Sequence, residues 1–564
     1  MLNAGTRRFP SSSTLLLLAA CSSSSNLELG TGNDCVAGCN AGLSCMENSD
    51  FPDGACTAVC EGGGCPSRTT CSPSLSTGQQ YCLQDCATAG CPASMLCTPT
   101  SAGSVCLPVS AASASPITCV APQILLGSPP GPASDPGCRN PVVESALSPA
   151  DVQHLGIHSP GDQVSFNVPA RATGFSIVSQ AVSTNTSLVD CPGEVIANVP
   201  VPSPLLTPGD KIFFDITAKG PQDPTMASLA SFVIAGQPPY TAALTFPNTT
   251  AGLNLALDGG LPGGEWKFEV NDFANELGCY VPSEPNTYDV TAVVSPGPLP
   301  PTGEIAVDLY LVTNGLDAGS AMKAAGLQAF VSRYASLFAQ AGVCLSTVTL
   351  HDVPSWALDK YSSVDVDYDV VQDPCSDFRQ MFTLAEAGRS MALFLVDDMV
   401  LANGHTTGII GFDGAIPGNA TFNGTIAGGA AVLGTDLLST SGCTAEYQPT
   451  ICGPDLVAGV SAHETGHFLG LVHPTEQTGN VFDPLKDTAS CVCALCETDP
   501  SAAAACSYNP DGGQPTFVDS SVCSSATQLC GGANLLMFWT VSTKGEITVE
   551  QAAVIRANPL ISAP

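Results

Sequence analysis

The sequence predicts a multidomain chain: an α+β domain containing a histidine-bearing helix, preceded by an all-β sandwich and a disulfide-rich repeat region. Three observations predict it. The chain has 564 residues, too many for one hydrophobic core. Cysteines recur at near-regular spacing across residues 35–107. Apolar residues alternate with a period of two between residues 119 and 295, then switch to a mixture of helical and strand spacing after residue 302.

The first 21 residues read as an export signal. Arg7 and Arg8 precede a short apolar run, Leu15–Leu18 and Ala19-Ala20, which ends at Cys21. The run is far too short to span a bilayer. It resembles a bacterial lipobox, which implies a lipidated Cys21, followed by a flexible tether over residues 22–34 that includes the serine run Ser22–Ser25. The alternative is an ordinary cleaved signal with a chance cysteine. Membrane contact is then expected only through the lipid at Cys21, with the protein at the bacterial outer membrane or cell surface, or secreted.

Residues 35–107 contain three cysteine units: Cys35, Cys39, Cys45 and Cys56; Cys60, Cys65, Cys71 and Cys82; Cys86, Cys91, Cys97 and Cys106. Apolar residues are too few there to build a core, so cross-links must hold each unit. The 27 cysteines of the chain become an even 26 once Cys21 is set aside, which suits complete pairing in an oxidising compartment. A stalk is the plain reading of the units; a ligand-binding module and a zinc site are the alternatives.

A linker rich in Ser, Ala and Pro covers 108–116. Runs such as Val164–Val168, Lys211–Ile216 and Glu265–Val270 then alternate apolar with polar residues between Pro/Gly/Asn turns, the pattern of an accessory β-sandwich at 119–295. His154 and His158 lie near its start, with Gly156 between them and Pro160 after, and read as surface-loop residues. A second linker at 295–302 opens the last domain, 303–564. Ile305–Val312, Val343–Leu350 and Met391–Val396 read as strands, the last as a central one because it is apolar throughout. Ala318–Ala341 reads as a helix, Gly408–Gly434 as edge strand and loop, and Pro454-Asp455 as a helix start.

That helix carries the chemistry. Residues 463–473 read His-Glu-Thr-Gly-His-Phe-Leu-Gly-Leu-Val-His. His463 and His467 share one helical face and can take neighbouring corners of a tetrahedral zinc site. Gly470 can adopt a left-handed conformation, end the helix and turn the chain back, so that His473 supplies a third ligand. Three neutral histidines leave one open position on zinc for water, whose pKa the metal brings to roughly 7. Glu464, beside the ligands, is the candidate general base. Chance assembly of five such residues is on the order of one in several thousand. The alternative is a helix whose histidines are merely polar surface residues.

The eleven-residue motif resembles that of the metzincin clan of zinc metallopeptidases. The resemblance covers roughly residues 303–564. It implies an upper subdomain with a twisted mixed sheet, an irregular lower subdomain, and a methionine turn beneath the metal, for which Met537 in Asn534–Trp539 is the candidate. It implies a zinc endopeptidase acting on a protein or peptide substrate. Where astacin-like and serralysin-like members place a tyrosine two residues after the methionine, this chain has Trp539. Pro474 is similar to serralysins, yet no Gly-Gly-x-Gly-x-Asp repeats follow, and pappalysin-like or other bacterial branches stay open.

Cys491, Cys493, Cys496, Cys506, Cys523 and Cys530 should cross-link the segment between His473 and Met537, with a second metal at Cys491–Cys496 as the alternative. Calcium is a further candidate cofactor, at Asp483 and Asp487 or at Val364–Asp369, against the plainer reading of solvated carboxylates. His351 and His405 stand alone. With a net charge of −34, the chain should be repelled by nucleic acid and anionic lipid. The rival function classes are a surface adhesin or scaffold with an inactive peptidase-like domain, against which the intact motif argues, and a self-processing zymogen.

Overall fold

The computed structural model describes strands and Val59, Cys60 and Cys65 within residues 44–108, then residues 117–138, 152–182, 198–214, 241–274, 287–401, 409–437, 452–491 and 531–563 apart from a few positions, together with Val518 and Cys523. Cys21, the tether and His405 lie outside the described residues, as do Cys493, Cys496, Cys506 and Cys530. No helix among the described residues is long and apolar enough to cross a membrane.

The cysteine units are antiparallel hairpins: β1 (Ser44–Asn48) with β2 (Phe51–Thr57), β3 (Thr69–Pro73) with β4 (Gln80–Gln84), and β5 (Met95–Thr100) with β6 (Gly103–Pro108). The third and fourth cysteines of each unit oppose one another across their hairpin, Cys45 and Cys56, Cys71 and Cys82, Cys97 and Cys106. In the second unit the disulfides are Cys60–Cys71 and Cys65–Cys82. The sulfurs of Cys60, Cys65 and Cys82 lie close together because these two bonds adjoin, so they are spent as disulfides and are not thiolate ligands.

Two four-stranded antiparallel sheets follow. One has β8 (Val152–His158), β10 (Gly174–Ala181), β13 (Thr241–Phe246) and β15 (Tyr288–Ser295), in the order β13-β10-β15-β8. The other has β9 (Gln163–Val168), β11 (Asn198–Thr207), β12 (Lys211–Phe214) and β14 (Gly264–Ala274), in the order β12-β11-β14-β9. Alternation in β9 and β14 turns Val164, Phe166, Trp266 and Phe268 to one side, where they share a core with Phe175, Phe246 and Tyr288 from the other sheet. His154 and His158 lie in strand β8, not in a loop: the hydrogen-bond ladder to β15 outweighs the turn signal of Gly156, which is accommodated by an irregularity in register.

The region is not all β. Thr250–Leu257 is a helix, capped where Thr249 Oγ1 accepts the Gly252 N–H at 2.9 Å. Its Leu253 is buried in the core of the C-terminal region.

That region is built on a six-stranded sheet in the order β21-β22-β19-β16-β17-β7. Its strands are β7 (Gln123–Leu126), β16 (Gly303–Val312), β17 (Val343–Asp352), β19 (Met391–Val396), β21 (Gly411–Asp413) and β22 (Ala430–Leu433). All neighbours are parallel except β21, which runs antiparallel at the edge. β19 lies inside the sheet and is buried along its whole length, as its apolar run requires. The short strand β18 (Ser363–Asp365), within the acidic stretch, pairs in parallel with β20 (Asp398–Val400).

The start of the expected sandwich is corrected by β7. Residues 117–138 belong to this sheet, not to the β-region: β7 pairs with β17, and the disulfides Cys119–Cys344 and Cys138–Cys375 fasten both of its flanks. A four-residue parallel edge strand carries little periodicity, so sequence spacing placed it with its nearest β neighbours. The helix expected at Ala318–Ala341 is also split, into Ala318–Ala321 and Ala325–Gln340. The longer piece packs between β17 and the histidine-bearing helix.

Candidate metal centre

The histidine helix runs Pro454–Phe468, with Pro at its first turn and Asp455 at the positive end of its dipole. Gly453 leads into it at φ +65°. Most of the helix is buried, Val457 to Ala462 and Glu464 to Phe468, which explains its lack of a polar face. His463 and His467 project from the same side, with ring centroids 4.7 Å apart.

Closure of the helix places the third histidine. The Gly470 N–H donates to His467 O and the Leu471 N–H to Gly466 O, both at 2.9 Å, the paired bonds of a Schellman motif. Gly470 sits at φ +105°, a region that side chains with a Cβ avoid. The chain reverses there, and His473 Nε2 comes to 3.2 Å from His463 Nε2 and 3.0 Å from His467 Nε2. A tetrahedral site with bonds of about 2.05 Å has edges of about 3.3 Å. The three nitrogens therefore fit a single metal ion.

The far side of each ring fixes its tautomer. His463 Nδ1–H donates to Leu536 O at 2.7 Å, His467 Nδ1–H to Leu471 O at 2.8 Å, and His473 Nδ1–H to Glu476 Oε2 at 3.0 Å. Each acceptor holds the proton on Nδ1 and leaves the Nε2 lone pair for the metal. Burial pushes the His463 imidazole down to about 3, helped by the like charge of His473. Burial, then His473 and His463, pushes His467 well below the usual histidine range. Both rings are neutral, as metal ligands must be.

Glu464 leaves the ligand face and is buried against β21. Burial raises its carboxyl to about 8. Met537 is fully buried beneath the helix. A Cβ on Gly466 would lie 2.3 Å from its sulfur, so the glycine between the two ligands makes room for the thioether. The neighbouring Leu536 supplies the carbonyl that orients His463. The Trp539 indole N–H donates to Val518 O at 2.6 Å.

His463, Glu464, His467, Gly470, His473 and Met537 are thus gathered at one place. Sequence reading missed Glu476 and the two orienting carbonyls. Glu476 lies only three residues from His473, a spacing that could have suggested it. The carbonyls of Leu536 and Leu471 are backbone atoms, which any residue carries, and left no such trace. His351 does not stand alone: it is buried, stacks on Tyr310 at 4.6 Å between centroids, and bonds Asp308 Oδ1 and Ser128 O, each at 3.1 Å. Nor is Cys491 a metal ligand, since it pairs with Cys523.

Asp483 and Asp487 are held by neutral donors. Asp483 Oδ1 accepts from Thr488 Oγ1 at 2.6 Å; Asp487 accepts from Thr548 Oγ1 at 2.9 Å and from the Glu550 N–H at 2.8 Å, at the start of helix Val549–Ala557. Among the described residues, they join no group of three side chains close enough to share one ion, whereas the histidine triad does.

No protein-family model matches the chain, and no curated protein matches it. Among solved structures, it is similar to metalloproteinase-II from Bacteroides fragilis, at 12% identity over 35% of this chain and 56% of that chain, with a TM-score of 0.16. The chain therefore spans little more than half the length of that protein.

Proposed function

We propose that the chain is a zinc-dependent endopeptidase of metzincin type. The observation that carries this reading is the convergence of three Nε2 atoms whose Nδ1 atoms are all occupied, with a buried glutamate on the next residue of the same helix. His463, His467 and His473 would hold the zinc, a donor set of neutral imidazoles that leaves one position open. When bound, zinc supplies a Lewis acid and a water that is acidic near neutrality. Glu464 receives the proton of the attacking water and delivers it to the leaving amine. A cation nearby favours the ionised form of Glu464, offsetting the burial that otherwise keeps it protonated. Gly470 and Glu476 position His473, and Met537 supports the helix from below. The disulfides of the described residues support an exported location, and Cys21 would be the lipid anchor.

The test is cleavage of denatured casein by the chain lacking its first 21 residues, beside Glu464→Ala and beside a chelated sample with zinc restored. Cleavage that chelation abolishes, zinc restores and Glu464→Ala lacks supports the reading. Cleavage no greater than the Glu464→Ala background, with the chain fully disulfide-bonded and zinc-loaded, overturns it in favour of a scaffold.

A further inference from the structure

Residues 117–138 form a strap along one edge of the six-stranded sheet, and its strand is held by little of its own. Of the four residues of β7, Ile124 packs on the core, while Leu125 and Leu126 are 43% and 57% exposed. The Cys119–Cys344 disulfide fixes the start of the strap. Its far half is held where Trp356 Nε1 donates to Pro132 O at 2.8 Å and Lys360 Nζ to Asp135 Oδ2 at 3.0 Å. Between these fastenings the strap crosses His351. A Cβ at Gly127 would lie 2.3 Å from His351 Nδ1 and Cε1, so the backbone rests directly on the imidazole.

The buried His351 faces an acceptor on each nitrogen. Nδ1 is 3.1 Å from Ser128 O, and a carbonyl oxygen has no proton to give. Nε2 is 3.1 Å from Asp308 Oδ1. The other oxygen of Asp308 accepts the Ser390 hydroxyl, whose own oxygen takes an N–H of Asn423 Nδ2 at 2.6 Å. Only the doubly protonated ring donates in both directions. The Tyr310 ring lies nearly parallel on it, at 17° between planes, and offers the negative face of an aromatic system. Among the described residues, the charged groups acting on His351 are Asp308 of β16 and Glu386 before β19. Gly127 and Ser128 of the strap bring no charge, and burial pushes the Tyr310 hydroxyl up, which keeps it neutral. Burial alone would push the imidazole down. The bonds to Asp308 and Ser128, with the charges of Asp308 and Glu386, outweigh it and raise His351 above the ordinary 6.5.

We propose that His351 is a proton-operated clamp: as an imidazolium it ties the strap at Ser128 to Asp308 of the sheet, and on losing its proton it lets β7 come away from β17. A neutral ring has one N–H for two acceptors, so one of them then faces a bare lone pair. The folded value lies above the unfolded one. The clamp is therefore complete below about pH 6.5 and is lost as pH rises through the higher folded value. The disulfides Cys119–Cys344 and Cys138–Cys375 keep the strap attached in the open form. Opening leaves β17 as a bare edge, with N–H and C=O groups free to pair with another strand.

The experiment follows amide exchange of residues 121–128 in the full chain by mass spectrometry, from pH 5 to pH 10, corrected for the intrinsic effect of pH on exchange. In wild type, protection of that segment should fall about 10- to 100-fold across the range, the worth of a hydrogen bond to a charged group. Met391–Val396, inside the sheet, should keep its protection. His351→Gln, which carries no charge, should show one low protection throughout. Asp308→Asn removes the opposing charge and should move the fall about 1 to 3 pH units lower. Protection in wild type that does not change with pH overturns the proposal, as does an equal fall in His351→Gln or an unmoved one in Asp308→Asn. Should the variants fail to fold, wild type alone decides. With 15N-labelled histidine, the ring in contact with Tyr310 should carry protons on both nitrogens at pH 6 and lose one by pH 10. One proton at pH 6, or two still at pH 10, overturns the clamp. None of these readouts requires cleavage of a peptide.

Discussion

Gly470→Ala isolates the turn that brings in the third ligand. The space is there: an ideal Cβ would meet Asn248 Cβ at 3.5 Å and Pro417 Cβ at 3.8 Å, ordinary contact distances. The cost is conformational, because the residue must stay at φ +105°. Holding a residue with a Cβ in such a region costs about 1–3 kcal/mol. The chain can bear that cost in two ways. If the turn keeps its shape, the metal-free protein loses about 1–3 kcal/mol in urea unfolding. If the turn relaxes, His473 moves off the other two nitrogens and zinc affinity falls about 5- to 150-fold for the same energy. Competition with a chromogenic chelator measures the second outcome and urea unfolding of the metal-free chain the first. Gly470→Asn should lose less by either measure, since Asn visits left-handed conformations more readily. Both quantities unchanged in Gly470→Ala, within twofold in affinity and about 0.5 kcal/mol in stability, would refute the argument that the left-handed turn places His473.

Two further outcomes follow from the same contacts. Glu476 is the one orienting acceptor that is a side chain, so Glu476→Ala should weaken zinc binding about 10- to 100-fold in the chelator assay, with Glu476→Gln, which keeps an acceptor oxygen, intermediate. The second outcome concerns pH: burial, then the neighbouring Glu550, raises the Asp487 carboxyl from 3.8 to about 7, so the folded chain binds a proton that the unfolded chain releases. Its contribution, up to about 4 kcal/mol, is complete below pH 4 and is lost as pH rises toward 7; urea unfolding at pH 5 and pH 8 should show wild type losing more stability than Asp487→Asn, and equal losses would count against it.

The convergence of the three histidines was legible because each leaves a local mark. Two histidines at helical spacing, a glycine where the helix must stop and a third histidine three residues on need no knowledge of the rest of the fold. The strands of the sheet were legible for a similar reason: a run such as Met391–Val396 can only sit between other strands. What was not legible depends on contacts distant in sequence. β7 is four residues long and pairs with a strand more than two hundred residues later, through a register that no period announces. The helix Thr250–Leu257 hung on one capping threonine inside a β-patterned stretch. The antiparallel edge strand Gly411–Asp413 runs beside the histidine helix, a meeting that its short segment between glycines, with no amphipathic signature, does not announce.

Those distant contacts also bear on how rigid the site is. His463 and His467 are fixed by a buried helix, but His473 hangs on a turn, and a turn has few hydrogen bonds of its own. The structure braces it from outside. Asn248 and Pro417 lie against Gly470, and Asn558 Nδ2 donates to Leu469 O at 3.0 Å from the C-terminal end of the chain. Asn248 lies two residues before the helix Thr250–Leu257, whose Thr250 N–H donates to Pro484 O at 3.3 Å and whose Thr250 hydroxyl donates to Glu550 Oε2 at 2.5 Å. Glu550 accepts the Lys486 N–H as well, at 2.7 Å. The β-region therefore reaches the loop that follows His473 and the C-terminal helix through buried polar bonds and the apolar Leu253. Breaking such contacts leaves buried partners unsatisfied, at about 1–3 kcal/mol each. The β-region is in this respect part of the scaffold that holds the third histidine in place, and the geometry of the candidate metal centre is a property of the two regions together.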